Sequence, residues 1–416
     1  MRNAPAIILL ALAGSALSLA PVAFGAGRST DSQDFGQIER GHYLTIVGSC
    51  MTCHTVPGGR EYAGGRPIET PFGLIVSPNI TPDPDSGIGA WTDDEFISAL
   101  TKGRGRHGTY LYPAMPYPYM TKTTREDALA IRAYLKTLPA VRNEVKSNQL
   151  PFPFNIRLGM AAWDALFFKP GAFKPVDGKS PEWNRGAYLA EGLMHCGACH
   201  TPKNVLGGDK TSEKLRGYAL QGWFAPNITN DDRKGLGKWS VDDIVSYLKT
   251  GHNRASAATG LMSEVVSIAS SKMSDADLKA IAVYLKDQPG ANASTPASPD
   301  AKVMTMGGKI YADECSGCHT PDGKGVSQMI PSLNSSAAVQ SDDPTSLLRV
   351  VLRGARSVGT DKVPTAAAMP AFGWLLTDEQ VAAVVTYVRN SWGNKAAPVS
   401  AHDVGKARDS FAQRKD

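Results

Sequence analysis

The sequence predicts an all-α protein of three tandem domains. A pentapeptide of the form Cys-x-x-Cys-His occurs three times, and all six cysteines of the 416-residue chain belong to it. A segment with a glycine and a tyrosine precedes each pentapeptide, and an amphipathic segment with helical spacing ends each repeat. One order of parts that recurs three times indicates three domains of the same kind. The pentapeptides occupy residues 50–54, 196–200 and 315–319.

Each domain is predicted to begin and end with a helix. A glycine on the opening helix and an aromatic residue on the closing helix would let the two cross closely. Each closing segment follows a Ser or Thr with an acidic or amide residue three positions later, which is the pattern of a helix N-cap. The opening residues are Gly41 and Tyr43, Gly186 and Tyr188, and Gly308 and Tyr311; the closing tyrosines are Tyr134, Tyr284 and Tyr387, and the caps begin at Thr124, Ser274 and Thr377.

The first two repeats resemble each other more than the third. Pro-Asn-Ile-Thr stands at residues 78–81 and again at 226–229, and a Gly-x-Gly-x-Trp stretch follows each at the same spacing, at 87–91 and 235–239. The third repeat lacks this insert. Duplication of an older pair, joined to a more generic third domain, accounts for the pattern.

The segments between the repeats differ in composition. The stretch between the first two is rich in aromatic residues, and we favour a structured connector buried between these domains over a docking or membrane-surface helix. The second joint, rich in Ala, Ser and Pro, predicts a flexible linker and a freer third domain. The expected divisions are domain 1 at 34–140, the connector at 141–180, domain 2 at 181–288, the linker at 289–302, domain 3 at 303–393 and a polar tail at 394–416.

The amino terminus predicts export. Residues 1–26 combine a positive Arg2, an apolar stretch and small residues suited to cleavage, as in a secretory signal peptide; an uncleaved anchor is the alternative. No other stretch reaches the roughly 20 apolar residues of a membrane span. We expect a periplasmic protein, peripheral on the outer face of the cytoplasmic membrane. The net charge of +5 is carried by dispersed basic residues, which argues against nucleic-acid binding.

Cys-x-x-Cys-His is the attachment signature of c-type haem. The two thiols add across the porphyrin vinyl groups, and the adjacent histidine reaches the iron. A zinc ribbon needs two such pairs close together, whereas these lie more than a hundred residues apart, and disulfides do not require a histidine after each pair. The sequence therefore predicts three covalently bound haem c groups, held by Cys50, Cys53 and His54, by Cys196, Cys199 and His200, and by Cys315, Cys318 and His319.

A second axial ligand is expected in the loop before each closing helix. Methionine at this position raises the reduction potential, and a filled sixth site suits electron transfer. Met115 and Met369 each precede a proline, which holds the chain extended. Met262 lies 62 residues after the histidine of its pentapeptide, against 61 residues for Met115. We predict these three methionines as iron ligands.

Three other side chains compete for these positions. Met120 is the alternative to Met115 within the first repeat. His107 and His252 could each give an iron with two histidine ligands in its own domain. No histidine occurs between His319 and His402, so Met369 has no such competitor in the third repeat.

Several stretches resemble a known family. Residues 62–65 (Tyr-Ala-Gly-Gly), the Asn-Ile-Thr-Pro-Asp run from Asn79, and residues 111–117, 195–202 and 368–371 resemble the triheme cytochrome c subunits of bacterial membrane-bound, quinone-linked dehydrogenases of alcohols, gluconate and aldehydes. The paired helices resemble the class I cytochrome c fold. The resemblance covers essentially the whole chain after the signal.

This resemblance implies three tandem class I cytochrome c domains and a partner dehydrogenase catalytic subunit with a quinone, flavin or molybdenum cofactor. The chain would pass electrons from that subunit to ubiquinone or another respiratory acceptor, and would not itself oxidise an organic substrate. A free periplasmic electron shuttle is one alternative. A multihaem peroxidase is another, and it would need an open iron site, which the second domain could offer.

Overall fold

The computed structural model describes residues 34–290 and 296–414. The predicted signal peptide at residues 1–26 lies outside the described residues, as do residues 291–295 of the predicted linker. The described chain is mostly helical, as predicted, and it also contains short strand pairs that the sequence patterns did not indicate.

Each repeat has an opening helix, a short helix with the pentapeptide residues, and a closing helix. The first repeat contains α1 (Phe35–Val47), α2 (Cys50–His54), α3 (Asp93–Lys102), α4 (Tyr117–Met120) and α5 (Arg125–Thr137), and the connector contains α6 (Gly159–Phe167). The second contains α7 (Pro181–Tyr188), α8 (Cys196–His200), α9 (Val241–Thr250), α10 (Gly260–Ile268) and α11 (Asp275–Lys286). The third contains α12 (Ala301–Ile310), α13 (Ser316–His319), α14 (Thr345–Arg353) and α15 (Asp378–Arg389), followed by α16 (Ala401–Ala412).

Short antiparallel strands follow the pentapeptide helix in each repeat. The first set is β1 (Pro67–Thr70), β2 (Gly73–Val76) and β3 (Asn148–Gln149), with β2 in the middle. The second pair is β4 (Tyr218–Leu220) with β5 (Trp223–Ala225), and the third is β6 (Ala355–Arg356) with β7 (Ala368–Met369).

The opening and closing helices of each repeat cross at a glycine. A Cβ atom at Gly41 would lie 1.8 Å from the carbonyl oxygen of Ala130, so only glycine allows α1 and α5 to approach this closely. In the third repeat the glycine at the crossing is Gly307, one position before the predicted Gly308. The matching distances are 1.9 Å from Gly186 to the Ala280 oxygen and 2.2 Å from Gly307 to the Ala383 oxygen.

The predicted capping residues begin the closing helices. Each hydroxyl accepts a hydrogen bond from the backbone N–H three residues later, which stabilises a helix start by about 1 kcal/mol. The distances are 3.2 Å from Asp127 N to Thr124, 3.2 Å from Asp277 N to Ser274 and 3.3 Å from Gln380 N to Thr377.

The first two repeats share one hydrophobic core and exchange hydrogen bonds. Tyr43 on α1 donates to Asp277 at the start of α11, at 2.7 Å. In return, Tyr188 on α7 donates to Asp127 at the start of α5, at 2.5 Å. This reciprocal contact packs the two repeats together, as the structured connector led us to expect. The same carboxylates pair with arginines, Arg40 with Asp127 at 2.5 Å and Arg185 with Asp277 at 2.8 Å.

The third repeat has its own core but packs against the second. The Ser346 hydroxyl accepts from the backbone N–H of Phe224 at 2.8 Å and donates to the carbonyl of the same residue at 3.1 Å. The Arg349 guanidinium stacks over the Trp223 ring at 4.6 Å. The composition of the linker predicted a freer third domain, but the third repeat is held against the second by these contacts. Linker composition could not indicate them, because they join residues that are distant in sequence.

The connector is more exposed than we expected. Arg104 pairs with the buried Asp164 on α6 at 2.7 Å, which fixes this helix to the first repeat. However, Phe152, Leu158 and Leu166 are 78, 71 and 68% exposed. The favoured interpretation, a connector buried between two domains, is therefore wrong for these apolar side chains.

The predicted polar tail contains a helix. Ser400 caps α16, which packs against α14 and α15 and buries Val404 and Phe411. These two apolar residues stand seven positions apart among charged ones, so the sequence shows little amphipathic pattern. Within residues 34–290 and 296–414, no helix is long and apolar enough to cross a membrane.

Candidate haem-binding sites

The pentapeptides form α2 and α8 in the first two repeats, and in the third α13 begins directly after Cys315; these three helices are called the attachment helices below. In α2 and α8 one helical turn brings the two cysteines to the same side, and in all three the histidine is at the helix end. In the first two repeats the residue before the helix, Ser49 or His195, has a left-handed backbone with φ of 52° or 38°. This turns the chain sharply out of the opening helix. The third repeat reaches its attachment helix through a π-helical turn, Tyr311–Cys315.

The first cysteine of each pentapeptide packs against a hydrophobic core, whereas Cys318 in the third pentapeptide is exposed. Burial raises the pKa of the Cys50 and Cys196 thiols to about 12 and that of Cys315 to about 11. Buried, neutral thiols that face a hydrophobic core fit the apolar vinyl edge of a porphyrin. The core lining supplies the low-dielectric environment in which a c-type haem is held.

Each pentapeptide histidine is oriented by a proline carbonyl. Because a carbonyl oxygen can only accept, Nδ1 carries the proton and Nε2 keeps its lone pair free for a metal ion. Burial also lowers the pKa of all three rings, which favours the neutral form that ligates iron. The Nδ1-to-oxygen distances are 2.7 Å from His54 to Pro78, 2.7 Å from His200 to Pro226 and 3.2 Å from His319 to Pro331.

The repeated Pro-Asn-Ile-Thr stretch supplies two of these carbonyls. The side-chain oxygen of Asn79 accepts from the backbone N–H of Thr81 at 2.9 Å and from its hydroxyl at 2.8 Å. Asn227 makes the same bonds with Thr229, at 2.8 and 2.7 Å. These turns hold the proline carbonyl beside the histidine. The sequence showed the repeat but not its role, because the contact spans more than 20 residues and only the folded chain reveals it.

The three predicted methionine ligands are partly buried, and Met115 and Met262 pack against the shared core of the first two repeats. Met115 lies in a tight turn, where its N–H donates to Tyr112 at 3.0 Å. Met262 is on α10 rather than in a loop, and it packs against the shared core of the first two repeats. Met369 is on β7 opposite Ala355. Their assignment as iron ligands stays a prediction.

The competing side chains differ in accessibility. Met120 is 3% exposed on α4 and belongs to the shared core. His107 lies on the surface, which makes it a poor candidate for a buried iron. His252 is 1% exposed and its Nδ1 lies 3.1 Å from the Thr250 carbonyl oxygen, so Nε2 is free. His252 therefore stays the alternative to Met262.

Comparisons with known proteins agree with this chemistry. The cytochrome c family model matches residues 38–139 and 304–392. The chain is 40% identical over 415 residues to the gluconate 2-dehydrogenase cytochrome c subunit of Pantoea cypripedii, covering 94% of each chain. It is 38% identical over 420 residues to the cytochrome c subunit of the quinone alcohol dehydrogenase of Gluconobacter oxydans, covering 96% of this chain and 87% of that one.

A further relative is the fructose dehydrogenase cytochrome subunit of Gluconobacter japonicus. It is 37% identical over 408 residues, which cover 89% of this chain and 82% of the relative. The three relatives are named for different substrates, yet each matches nearly the whole described chain at a similar level of identity.

Proposed function

Because this chain belongs to the cytochrome c family, and within it to the cytochrome c subunits of dehydrogenases, we propose that it carries electrons from a partner dehydrogenase to ubiquinone or another respiratory acceptor. Family membership means that haem c is bound covalently. Bound haem c supplies a one-electron redox couple, and the protein sets its position and potential. The observation that carries the proposal is the set of three attachment helices whose histidines are each oriented by a proline carbonyl.

The partner, rather than this chain, determines which substrate is oxidised. Relatives named for gluconate, alcohol and fructose dehydrogenases are about equally similar to this chain, so similarity alone favours none of these substrates. The purified chain alone should oxidise none of the three.

We propose three haem c groups in three tandem cytochrome c domains. The cysteine pairs of the three pentapeptides would attach them, and the buried cores would exclude water. His54, His200 and His319 would ligate iron through Nε2, and Met115, Met262 and Met369 would each supply a further ligand. Six-coordinate iron of this kind favours electron transfer over oxygen chemistry.

The proposed location is the periplasm, on the outer face of the cytoplasmic membrane. Phe152, Leu158, Leu166 and Val205 are exposed apolar side chains, together called the connector patch here. Residues 145–176 around it carry four basic side chains and only one acidic one, the buried Asp164. Apolar groups flanked by positive charge suit the headgroup region of a bilayer with anionic lipids.

The haem number is tested by a pyridine haemochrome assay together with a haem stain of the denatured chain. The wild type should contain three haems per chain, since each attachment helix is complete. Replacing Cys196 and Cys199 by Ala should remove one haem and leave the other two. A variant with an unaltered haem count would contradict the assignment.

The partner is tested by purifying the tagged chain from native membranes under mild detergent. We expect a dehydrogenase catalytic subunit to co-purify, and its cofactor to identify the substrate class. A chain that consistently purifies alone, at the yield of a free protein, would support the periplasmic shuttle instead.

A further inference from the structure

The candidate haem sites of the first two repeats are held together by charged contacts. Arg66, in the first repeat, donates through Nη1 to the carbonyl oxygen of Thr52 on α2, at 2.8 Å. Its Nη2 donates to both carboxylate oxygens of Glu264, at 2.8 and 3.0 Å. Glu264 lies on α10 of the second repeat, two residues after Met262. Arg66 thus joins the attachment helix of one repeat to the methionine-bearing helix of the other.

A second contact reverses the roles of the two repeats. Lys203, in the second repeat, donates to the carbonyl oxygen of Gly197 on α8 at 3.0 Å and to the hydroxyl of Tyr119 at 2.9 Å. Tyr119 lies on α4 of the first repeat, four residues after Met115, and donates to Asp209 at 2.5 Å. A Cβ atom at Gly197 would lie 2.8 Å from the Tyr119 ring, so the ring packs directly on this attachment helix.

The segments that lead into the two attachment helices also lie near each other. A Cβ atom at Gly48, two residues before α2, would lie 3.8 Å from the side chain of Leu193, three residues before α8. Arg66 bonds to Thr52, the residue before Cys53, and Glu264 bonds to Arg66, so one positive and one negative charge lie beside the first attachment helix at the boundary between the repeats.

We propose that Arg66 and Lys203 are positioning residues that couple the first two haem sites into one redox pair. Each holds the attachment helix of its own repeat against the methionine-bearing segment of the other. The proposal rests on haem occupancy of both sites under the proposed function. Because Arg66 and Glu264 lie beside Cys53, they also set the local potential in opposite directions.

The sign of the effect follows from charge. A nearby positive charge stabilises the reduced iron, which is less positive than the oxidised iron, and so raises the reduction potential. Removing the charge of Arg66 should lower a midpoint potential, and removing that of Glu264 should raise one. When both charges are removed, the two shifts should largely cancel.

The experiment is a spectroelectrochemical titration of the purified holoprotein and its variants Arg66→Gln, Arg66→Lys, Glu264→Gln and the double Gln variant. We expect Arg66→Gln to shift one midpoint downward, Glu264→Gln to shift it upward, and the double variant to return close to the wild type. Arg66→Lys keeps the charge, so it should retain most of the wild-type potential. The control is Arg142→Gln, which removes the same charge from a solvated surface pair in the first repeat.

The proposal would be overturned if the midpoint potentials shift no further in Arg66→Gln and Glu264→Gln than they do in the control Arg142→Gln. Shifts of equal sign in the two single variants would also overturn it, because these indicate a general structural disturbance. If Arg66→Gln does not fold, the proposal is tested by Glu264→Gln, which should raise one midpoint, and by Arg66→Lys, which should keep it near the wild-type value. The titration needs no dehydrogenase and no quinone, so unchanged midpoint potentials would reject the redox-pair proposal without affecting the electron-relay proposal. Conversely, a chain that no dehydrogenase reduces would reject the electron relay without affecting the redox-pair proposal.

Discussion

The hydrogen bond from each pentapeptide histidine to a proline carbonyl determines which ring nitrogen can reach a metal ion. The spacing of cysteines and histidines predicts which side chains would hold haem, because covalent attachment leaves little freedom within one helical turn. The proline carbonyls could not be predicted, since a backbone oxygen has no signature in the sequence. Met262 could be placed only by its distance from the pentapeptide, and its position on α10 shows the limit of that reasoning.

Asn79→Ala tests the support of the first histidine. The substitution removes the bonds to Thr81 and the bond from Nδ2 to the Val141 carbonyl at 2.7 Å, so we expect a loss of about 2 kcal/mol in the free energy of unfolding. One midpoint potential should shift because the Pro78 carbonyl is no longer fixed. Asn227→Ala should shift a different midpoint. Unchanged potentials in both variants would show that these turns do not orient the histidines.

Met369→His tests the axial ligand in the third repeat. Histidine stabilises the oxidised iron relative to methionine, so one reduction potential should fall and the other two should stay nearly in place. The weak long-wavelength absorption band of iron–methionine bonding should lose about a third of its intensity, since the proposal has three such bonds. Spectra of the wild type that fit only bis-histidine haems would reject all three methionine assignments.

At the scale of helices, the fold depends on the close crossing of opening and closing segments. The recurring glycines and the capping residues predicted these helices and their order well, because both signals are local. The sequence could not show whether Gly307 or Gly308 lies at the helix crossing, because the rotation of α12 about its axis relative to α15 determines which of the two faces the closing helix. The short strands were missed because segments of two to four residues carry too little periodicity.

Gly186→Ala tests the crossing of α7 and α11. The added methyl would overlap the Ala280 carbonyl at 1.9 Å, so we expect at least about 2 kcal/mol of destabilisation in chemical denaturation. The matched control is Gly159→Ala on α6, where no described atom lies within 4 Å of the new Cβ apart from its own chain neighbours and helix backbone. That change should stabilise the helix slightly, by up to about 1 kcal/mol. Equal effects of the two variants would show that the crossing tolerates a larger residue.

Leu158→Glu tests the connector patch. Loss of one exposed leucine from an apolar contact, together with the added negative charge, should weaken binding to vesicles with anionic lipids by about tenfold in a sedimentation assay. Val326→Glu, at an exposed apolar position in the third repeat, should leave vesicle binding unchanged. If both variants bind as the wild type does, while Leu158→Glu no longer co-purifies with the dehydrogenase, the patch contacts the partner protein instead of the membrane.

Across the whole molecule, two repeats form a unit with one core and the third packs on it. The sequence predicted the close pair through the aromatic connector, although the pairing itself uses Tyr43, Tyr188 and their aspartate partners. The sequence also predicted a freer third domain, because the composition of a linker indicates its flexibility and not the contacts between the domains that it joins. The contacts of Ser346 and Arg349 with the second repeat join distant parts of the chain, and no local pattern could indicate them.

An electron relay requires that the partner dehydrogenase reduce the haems of this assembly and that the acceptor then reoxidise them. The segments leading into α2 and α8 lie near each other, and Arg66 and Lys203 join the two repeats beside these helices, which would favour electron exchange between haems held there. The third repeat packs against the second and so keeps its site within the same assembly. Which site meets the dehydrogenase and which meets the acceptor follows from the order of reduction.

Stopped-flow spectroscopy of the complex purified from native membranes tests the relay most directly. After addition of the substrate of the co-purified dehydrogenase, we expect the haem absorbance to change to that of the reduced form at a rate that matches substrate oxidation. A ubiquinone analogue should then reoxidise the haems. The isolated chain with the same substrate should stay oxidised. Substrate consumption by the complex while the haems of this chain stay oxidised, or substrate oxidation by the isolated chain at the rate of the complex, would contradict the account.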